Sequence, residues 1–225
     1  MLFGGPGCNL MEADADARAR ELDECMAFYR EAAKRFDLSV CNTMAGPLVK
    51  DGVPYVEFDK HGSSIATDDQ WQWAVQGFQA LGDLASELGF RLAFETHNCY
   101  IHDLAKPTRQ LVDRIDRPSV GVNMDLGNIL LNKNGESIAE AVAICGTRIY
   151  MVHLKNFLLV AGVAYQNWAQ CALPDGIINN REFLRCLRGI GFDGPLVIEA
   201  PRPGDREWFA QQDVAYLRLL LADLR

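Results

Sequence analysis

Four residues whose side chains could bind a metal ion stand at the ends of apolar runs. Glu95 follows "RLAF", Asp125 follows "VGVNM", His153 follows "RIYMV" and Glu199 follows "LVI". Short runs of aliphatic and β-branched residues predict buried strands. Burial in an apolar core therefore does not explain the ionisable residue at the end of each run.

Alternation along the strands indicates that these side chains point the same way. Residues two apart in a strand face one side of the sheet, so Glu95 shares its face with His97, and His153 shares its face with Lys155. The apolar residues between them would face the packed helices. If the four strands are neighbours in a barrel, the four side chains converge inside it.

Two glutamates, one aspartate and one histidine offer mostly oxygen ligands with one nitrogen. This set suits Mn²⁺, Mg²⁺ or Co²⁺ better than Zn²⁺, whose structural sites are rich in sulfur. Three carboxylates that converge inside a protein would be costly without a cation. One acid at a strand end is usually a solvated residue or a helix cap, but four ligands at equivalent positions predict a site for one divalent metal ion.

The strands and helices that would position this site alternate along the chain. Apolar runs predict strands at residues 2–8, 38–44, 91–97, 120–126, 148–156 and 196–200. Apolar residues at helical spacing predict helices at residues 13–36, 68–89, 104–116, 136–146, 179–190 and 206–224. Gly89 and Gly191 are expected just past helix ends, where glycine tolerates a left-handed backbone. Alternating strands and helices are typical of a parallel sheet.

This order predicts an α/β fold, a TIM-type barrel that forms a single domain over residues 1–225. Eight β/α units close such a barrel, but six are visible here, and the first run begins at Met1. The barrel is therefore expected to be N-terminally shortened or incomplete. An unclosed sheet has unpaired edges, which proteins usually protect, so it would also allow the chain to form a homo-oligomer.

Two long segments, 45–67 and 157–178, follow predicted strands. Both should lie on the rim where barrel active sites are built. Segments longer than about 15 residues are usually functional or disordered, and the aromatic residues in these two favour function. Tyr165 and Trp168 could stack on a bound ring or pack their own loop.

Composition excludes several classes of protein. The net charge of −8, with no basic run and no Gly-Lys-Ser/Thr phosphate loop, argues against a nucleic-acid partner. No apolar stretch approaches the roughly 20 residues of a membrane span, and the N-terminus lacks a signal-peptide pattern. Seven scattered cysteines without a Cys-x-x-Cys pair favour reduced thiols and a cytoplasmic location.

Several segments resemble one known family. "FETHN", "NMDLGN", "MVHLKN" and "PDGIINNREFLRCLRGIGFDGPLVIEAPRP", with the closing helix, are similar to the xylose isomerase-like TIM-barrel superfamily, the sugar phosphate isomerase/epimerase group. The resemblance covers most of residues 14–224. It implies an eight-unit barrel in which Glu, Asp, His and Glu from strands four, five, six and eight hold one divalent metal ion. On this chain those ligands are Glu95, Asp125, His153 and Glu199.

The resemblance also implies an activity. In the family's isomerases and epimerases, the metal grips a carbonyl and a neighbouring hydroxyl of a keto-sugar and stabilises an enediolate, while two carboxylates remove and return a proton. Glu95 and Glu199 would be this acid/base pair. The residues that would contact the sugar or polyol substrate are His97, Asn128, Lys155 and Arg202. Packing of His97, charge balance by Lys155 and solvation of Arg202 are plainer alternatives.

Two positions depart from the family pattern and leave the substrate open. Asn128 stands where the epimerases often have a histidine, three residues after the metal-binding aspartate. Asn156 stands where the motif His-x-x-Asp usually ends in aspartate. Asparagine can donate and accept hydrogen bonds but cannot become a cation.

Other activities are compatible with the same residues. Dehydratases of a keto-inositol or a dehydroshikimate-like substrate, in the same superfamily, use the same metal ligands and also remove a proton beside a carbonyl. A non-catalytic truncated relative is a further alternative, because the missing first two units could supply substrate contacts. The branch that cleaves DNA at abasic sites needs three zinc ions and a cationic groove, which four histidines and a charge of −8 disfavour.

Overall fold

A five-stranded parallel sheet lies at the centre of the computed structural model, which describes residues 8–159 and 168–224. The described strands are β1 (Val40–Thr43), β2 (Arg91–Glu95), β3 (Val120–Asp125), β4 (Ile149–Leu154), β5 (Phe157–Leu159), β6 (Trp168–Gln170) and β7 (Leu196–Ile198). The sheet has the order β1-β2-β3-β4-β7, and each neighbouring pair is parallel. Strands β5 and β6 form a separate antiparallel pair.

Helices connect the strands of the sheet. They are α1 (Ala15–Arg35), α2 (Asp68–Leu88), α3 (Ala105–Ile115), α4 (Leu126–Leu131), α5 (Ile138–Cys145), α6 (Asn180–Gly189) and α7 (Arg206–Asp223). Thr67 and Gln70 form a capping box at the start of α2, and Gly89 ends this helix with a φ of 78°. Gly191, with a φ of 74°, follows α6 in the same way. The predicted positions of both glycines are confirmed.

Apolar side chains on the outer face of the sheet pack against the helices. Phe78 of α2 meets Phe94 of β2 edge to face, with ring centroids 4.4 Å apart. The inner face carries a smaller apolar cluster formed by Val40, Ala93, Tyr150 and Met151. Polar residues at the strand ends therefore project on the inner face, away from the main hydrophobic core.

Five of the predicted strands are present, each shorter than expected, and the predicted strand at residues 2–8 lies outside the described residues except for Cys8. The segment 157–178 contains the β5–β6 pair rather than a plain loop. Trp168 packs edge to face on Phe157 at 4.9 Å, which favours the packing interpretation of that residue. Tyr165 lies outside the described residues.

The strand order agrees with the expectation that the four ligand-bearing strands are neighbours. β4, which carries His153, pairs directly with β7, which precedes Glu199. The four strands that end near the site, β2, β3, β4 and β7, are therefore consecutive neighbours. Among the described residues β1 and β7 form the two sheet edges, and a homo-oligomer stays a prediction.

None of the described helices is long and apolar enough to cross a membrane.

Candidate metal centre

The carboxyl ends of four neighbouring strands bring the four predicted ligands together. Parallel strands end at the same edge of a sheet, and the register pairs Asp125 directly with His153. One potential ligand atom each from Glu95, Asp125, His153 and Glu199 lies within 4.8 Å of all the others. Three of the four residues are buried, and Glu199 is partly exposed. The described residues thus contain one compact group of three carboxylates and an imidazole.

His153 stands at the centre of the group. Its Nδ1 lies 3.1 Å from Oε2 of Glu199, 3.6 Å from Oε1 of Glu95 and 3.7 Å from Oδ2 of Asp125. Burial would lower the pKa of His153, but hydrogen bonds with Asp125, Glu199 and Glu95 raise it to about 11. The imidazole therefore carries a proton when these carboxylates are its partners.

Lys155 supplies a second positive charge beside the ligands. Its Nζ lies 2.6 Å from Oδ2 of Asp125 and 2.9 Å from Oε2 of Glu199, and the residue is 6% exposed. Burial would lower its pKa, but these two carboxylates outweigh that effect and raise it. Gly127 makes room for the lysine stem, since a Cβ there would lie 2.5 Å from Cγ of Lys155. This arrangement supports the charge-balancing interpretation of Lys155.

The two glutamates are held in their ionised forms. For Glu199, burial would raise the pKa, but the hydrogen bond from His153 and the charge of Lys155 lower it to about 2. For Glu95, burial would again raise the pKa, but the hydrogen bond with His153 outweighs burial and lowers it. Both side chains are therefore available as anionic ligands.

The residues present fit a divalent metal ion. Three carboxylates and one imidazole are the ligand types that Mg²⁺ or Mn²⁺ take, and their potential ligand atoms already lie close together. Metal binding requires His153 to lose its proton. The ammonium group of Lys155 would then balance one of the three carboxylates and leave two negative charges unbalanced. A divalent ion supplies this charge.

Asn128 and His97 lie beside the group. Nδ2 of Asn128 donates to the carbonyl of Thr96 at 3.0 Å and to Oε1 of Glu95 at 3.4 Å. Strand β2 ends at Glu95, so the alternation that predicts an inward His97 stops before that residue. His97 is nevertheless close enough to lower the pKa of Glu95. Substrate contacts by both residues stay predictions.

Arg202 is engaged by α7. Its Nη2 lies 2.8 Å from Oδ2 of buried Asp213 and donates to the carbonyl of Phe209 at 3.2 Å. The guanidinium also lies over the Phe209 ring, 4.6 Å from its centroid. These contacts direct the charge of Arg202 to the helix, and a role at the substrate stays a prediction.

Two residues that hold the ligands were not identified from the sequence. Oγ1 of Thr96 donates to the carbonyl of Asp125 at 2.9 Å and accepts from its N–H at 2.8 Å. His102 is fully buried; its Nε2 accepts from the N–H of Ala45, so Nδ1 carries the proton and donates to the carbonyl of Glu95 at 2.5 Å. The polar side chains in "FETHN" and "YIHD" were the sequence signals, but their partners depend on the fold.

Replacing His102 with glutamine is expected to change how stability depends on pH. Burial lowers the pKa of His102 from 6.5 to about 4. Between these values the unfolded chain binds the proton more readily, so this group makes the free energy of unfolding rise as pH increases from 4 to 6.5, by about 3 kcal/mol at most. Urea unfolding at several pH values should show a smaller rise for His102→Gln than for the parent. Equal slopes would contradict the assignment of a neutral His102.

The chain matches one family model and several curated proteins. A family model described as "Xylose isomerase-like TIM barrel" matches residues 1–220. An inosose dehydratase of Geobacillus thermodenitrificans (strain NG80-2) is 24% identical over 154 residues, which cover 64% of this chain and 50% of that protein. The chain spans about half the length of the curated relatives that it matches.

Two solved structures show the same fold. A D-psicose 3-epimerase crystallised in the presence of D-fructose has a TM-score of 0.74 and 17% identity, with 97% of this chain and 77% of that chain covered. A xylose isomerase-like TIM barrel protein from Mycobacterium smegmatis, in complex with magnesium, has a TM-score of 0.71 and 21% identity. That alignment covers 94% of this chain and 70% of the other. At these identities the likeness concerns the fold.

Proposed function

Since the chain belongs to the xylose isomerase-like TIM-barrel family, we propose that it is a divalent-metal-dependent isomerase or epimerase of a small keto-sugar. The observation that carries this proposal is the placement of two ionised glutamates. Glu95 ends β2 and Glu199 follows β7, the outer two of the four neighbouring strands, so they lie on either side of Asp125 and His153. Two carboxylates that flank a substrate can remove a proton on one side and return it on the other.

Glu95, Asp125, His153 and Glu199 would hold the metal ion. When bound, a divalent ion polarises a carbonyl oxygen and so acidifies the neighbouring C–H group. The family neighbour that contains magnesium supports Mg²⁺, and the ligand types suit Mn²⁺ or Co²⁺ as well.

Side chains of the protein would transfer the proton to and from the substrate. One glutamate removes the proton from the carbon next to the carbonyl, and the other returns a proton to the same carbon or to its neighbour. Return of a proton to the opposite face of the same carbon gives epimerisation. Return to the former carbonyl carbon gives isomerisation, in which the hydroxyl proton on the first carbon also moves to the former carbonyl oxygen. Lys155 keeps Glu199 ionised and in place. Asn128 donates a hydrogen bond of 3.4 Å to Oε1 of Glu95.

A second candidate function is dehydration of a keto-inositol or a related polyol. The curated relatives named inosose dehydratase support it. Both reactions begin with removal of a proton beside a carbonyl, so the same four ligands serve either.

The products formed in D₂O distinguish these candidates. We expect the Mn²⁺-loaded protein to exchange the C–H proton beside the carbonyl of D-fructose, D-psicose or another keto-sugar and to form an epimer or isomer without loss of water, as followed by proton NMR. Loss of one water from a keto-inositol would favour the dehydratase instead. Absence of exchange across keto-sugars and keto-inositols, with metal bound, would contradict both and favour a non-catalytic role.

A further inference from the structure

We infer that two buried asparagines, Asn42 and Asn123, position the carboxylate of Glu95 for metal binding, an inference that rests on the proposed function. Nδ2 of Asn42 donates to Oε2 of Glu95 at 2.8 Å. Nδ2 of Asn123 in turn donates to Oδ1 of Asn42 at 3.0 Å. Asn42 is 5% exposed and Asn123 is fully buried. The three side chains form a continuous hydrogen-bonded row across three strands.

The strand register explains how this row forms. Asn42 of β1 lies opposite Ala93 of β2, and Ala93 lies opposite Gly121 of β3. Glu95 and Ala93 project on the same inner face, two residues apart. Glu95 itself lies opposite Asn123 of β3. The side chain of Ala93 on the middle strand is small, so the amides of Asn42 and Asn123 meet there beside the carboxylate of Glu95.

The direction of every hydrogen bond in the row is fixed by Glu95. An ionised carboxylate only accepts, so Asn42 must present its NH₂ group to it and its oxygen to Asn123. Asn123 must then present its own NH₂ group to Asn42. All donors thus point toward Glu95, an arrangement in which successive hydrogen bonds strengthen one another and favour the negative charge.

This row also selects which oxygen of Glu95 faces the metal ligands. Oε2 is taken by Asn42, whereas Oε1 lies 3.6 Å from Nδ1 of His153. The contact of Oε1 with Asn128 is longer, at 3.4 Å, and constrains the carboxylate less. Asn42 is therefore a positioning residue: it holds one oxygen so that the other is presented to the ion.

The row also has an energetic cost. Oδ1 of Asn123 is buried and accepts no hydrogen bond from the described residues. A buried acceptor without a partner destabilises a folded protein. The amide of Asn123 therefore contributes to the row through its donor group alone.

The test compares Mn²⁺ affinity of the full chain and of leucine variants, measured from the electron paramagnetic resonance signal of free Mn²⁺. Removal of an outer contact to a metal ligand typically weakens binding about tenfold to a hundredfold, and we expect this loss for Asn42→Leu. Asn123→Leu should lose less, because it acts through Asn42. The double variant should bind no more weakly than Asn42→Leu, since the two residues form one unit.

Asn180→Leu is the matched control. Asn180 is 2% exposed and donates one amide hydrogen bond to the carbonyl of Leu173 at 2.8 Å. As for Asn123, none of the described residues donates a hydrogen bond to its Oδ1. Asn180 is the first residue of α6, and its side-chain hydrogen bond goes to a backbone carbonyl and not to one of the four ligands, so its replacement should lower stability and leave Mn²⁺ affinity unchanged. Circular dichroism melting verifies that each variant is folded, and Asn123→Leu decides the matter if Asn42→Leu does not fold.

The outcomes separate this inference from the proposed function. If the parent binds Mn²⁺ and folded Asn42→Leu and Asn123→Leu bind it equally well, the positioning role is wrong and the metal site stands. If the parent binds no Mn²⁺, both ideas are overturned. If the parent binds Mn²⁺ without turning over any keto-sugar or keto-inositol, the proposed function fails, while a selective loss of affinity in Asn42→Leu still supports the row.

Discussion

Glu199→Gln is expected to abolish turnover while the protein remains folded. Glutamine keeps the shape of the side chain and can still accept a hydrogen bond from Lys155, but it cannot take a proton from a substrate. General acid–base catalysis contributes about 10²- to 10⁴-fold to a rate, and Glu199 is also a candidate metal ligand, so the loss should lie at or above the upper end. The side chain of Glu199 is 34% exposed, which is why removal of its charge should not unfold the chain.

The measurement is turnover of the best keto-sugar substrate, together with metal content by plasma mass spectrometry. Near-stoichiometric metal in the parent and much less in Glu199→Gln would show that this carboxylate holds the ion. Glu207→Gln is the control, because Glu207 is exposed in the first turn of α7 and should leave rate and metal content unchanged. Retained turnover in Glu199→Gln would exclude the acid/base role assigned to it.

The convergence of the four candidate ligands could be predicted from the sequence because it depends on local rules. An apolar run predicts a strand, alternation gives the face, and strands joined by helices run parallel. The residue after each run must then lie at one edge of the sheet. Glu95, Asp125, His153 and Glu199 obey all three rules, and the structure brings their ligand atoms within 4.8 Å of one another.

The contacts that hold these ligands could not be predicted, because they join residues far apart in the chain. Asn42 and Glu95 are 53 positions apart, and Asn42 and Asn123 are 81 apart. Which polar residue meets which depends on the register between strands, and on small neighbours such as Ala93 that leave space. A single buried asparagine in "VCNTM" gives no indication of its partner.

Three features could not be predicted because the strands are short or because the partner residue lies on another element. An inward direction for His97 requires β2 to extend beyond Glu95, but the strand ends there. The β5–β6 pair lies within 157–178 and has three residues per strand, too few to show a periodic pattern. Arg202 has its partner eleven positions away, on α7, and the sequence gives no sign that Asp213 is buried.

Lys155→Met is expected to destabilise the metal-free protein strongly. Methionine keeps most of the apolar stem that packs beside Gly127 but removes the ammonium group from Asp125, which is fully buried, and from Glu199. Removal of one partner from a buried ion pair typically costs about 3–5 kcal/mol, because a charge remains buried without compensation. Urea unfolding in the presence of a chelator should show a decrease in this range.

Lys34→Met is the matched control. Lys34 pairs with Glu31 at 3.3 Å, but the two side chains are 72% and 49% exposed. Exposed pairs contribute about 0–1 kcal/mol, so this variant should unfold at nearly the same urea concentration as the parent. The comparison separates the loss of a buried counter-charge from the loss of a lysine as such.

Addition of Mn²⁺ makes the Lys155 prediction specific to the site. The ion would supply positive charge to the same carboxylates that lose their ammonium partner, so it should stabilise Lys155→Met more than it stabilises the parent. An equal increase in both proteins would mean that Lys155 and the ion act on different groups. If Lys155→Met is as stable as the parent in the presence of chelator, the lysine does not balance the charge of the cluster. A larger increase in the variant would show that lysine and metal share the charge of Asp125 and Glu199, which is the arrangement that the 2.6 Å and 2.9 Å contacts indicate.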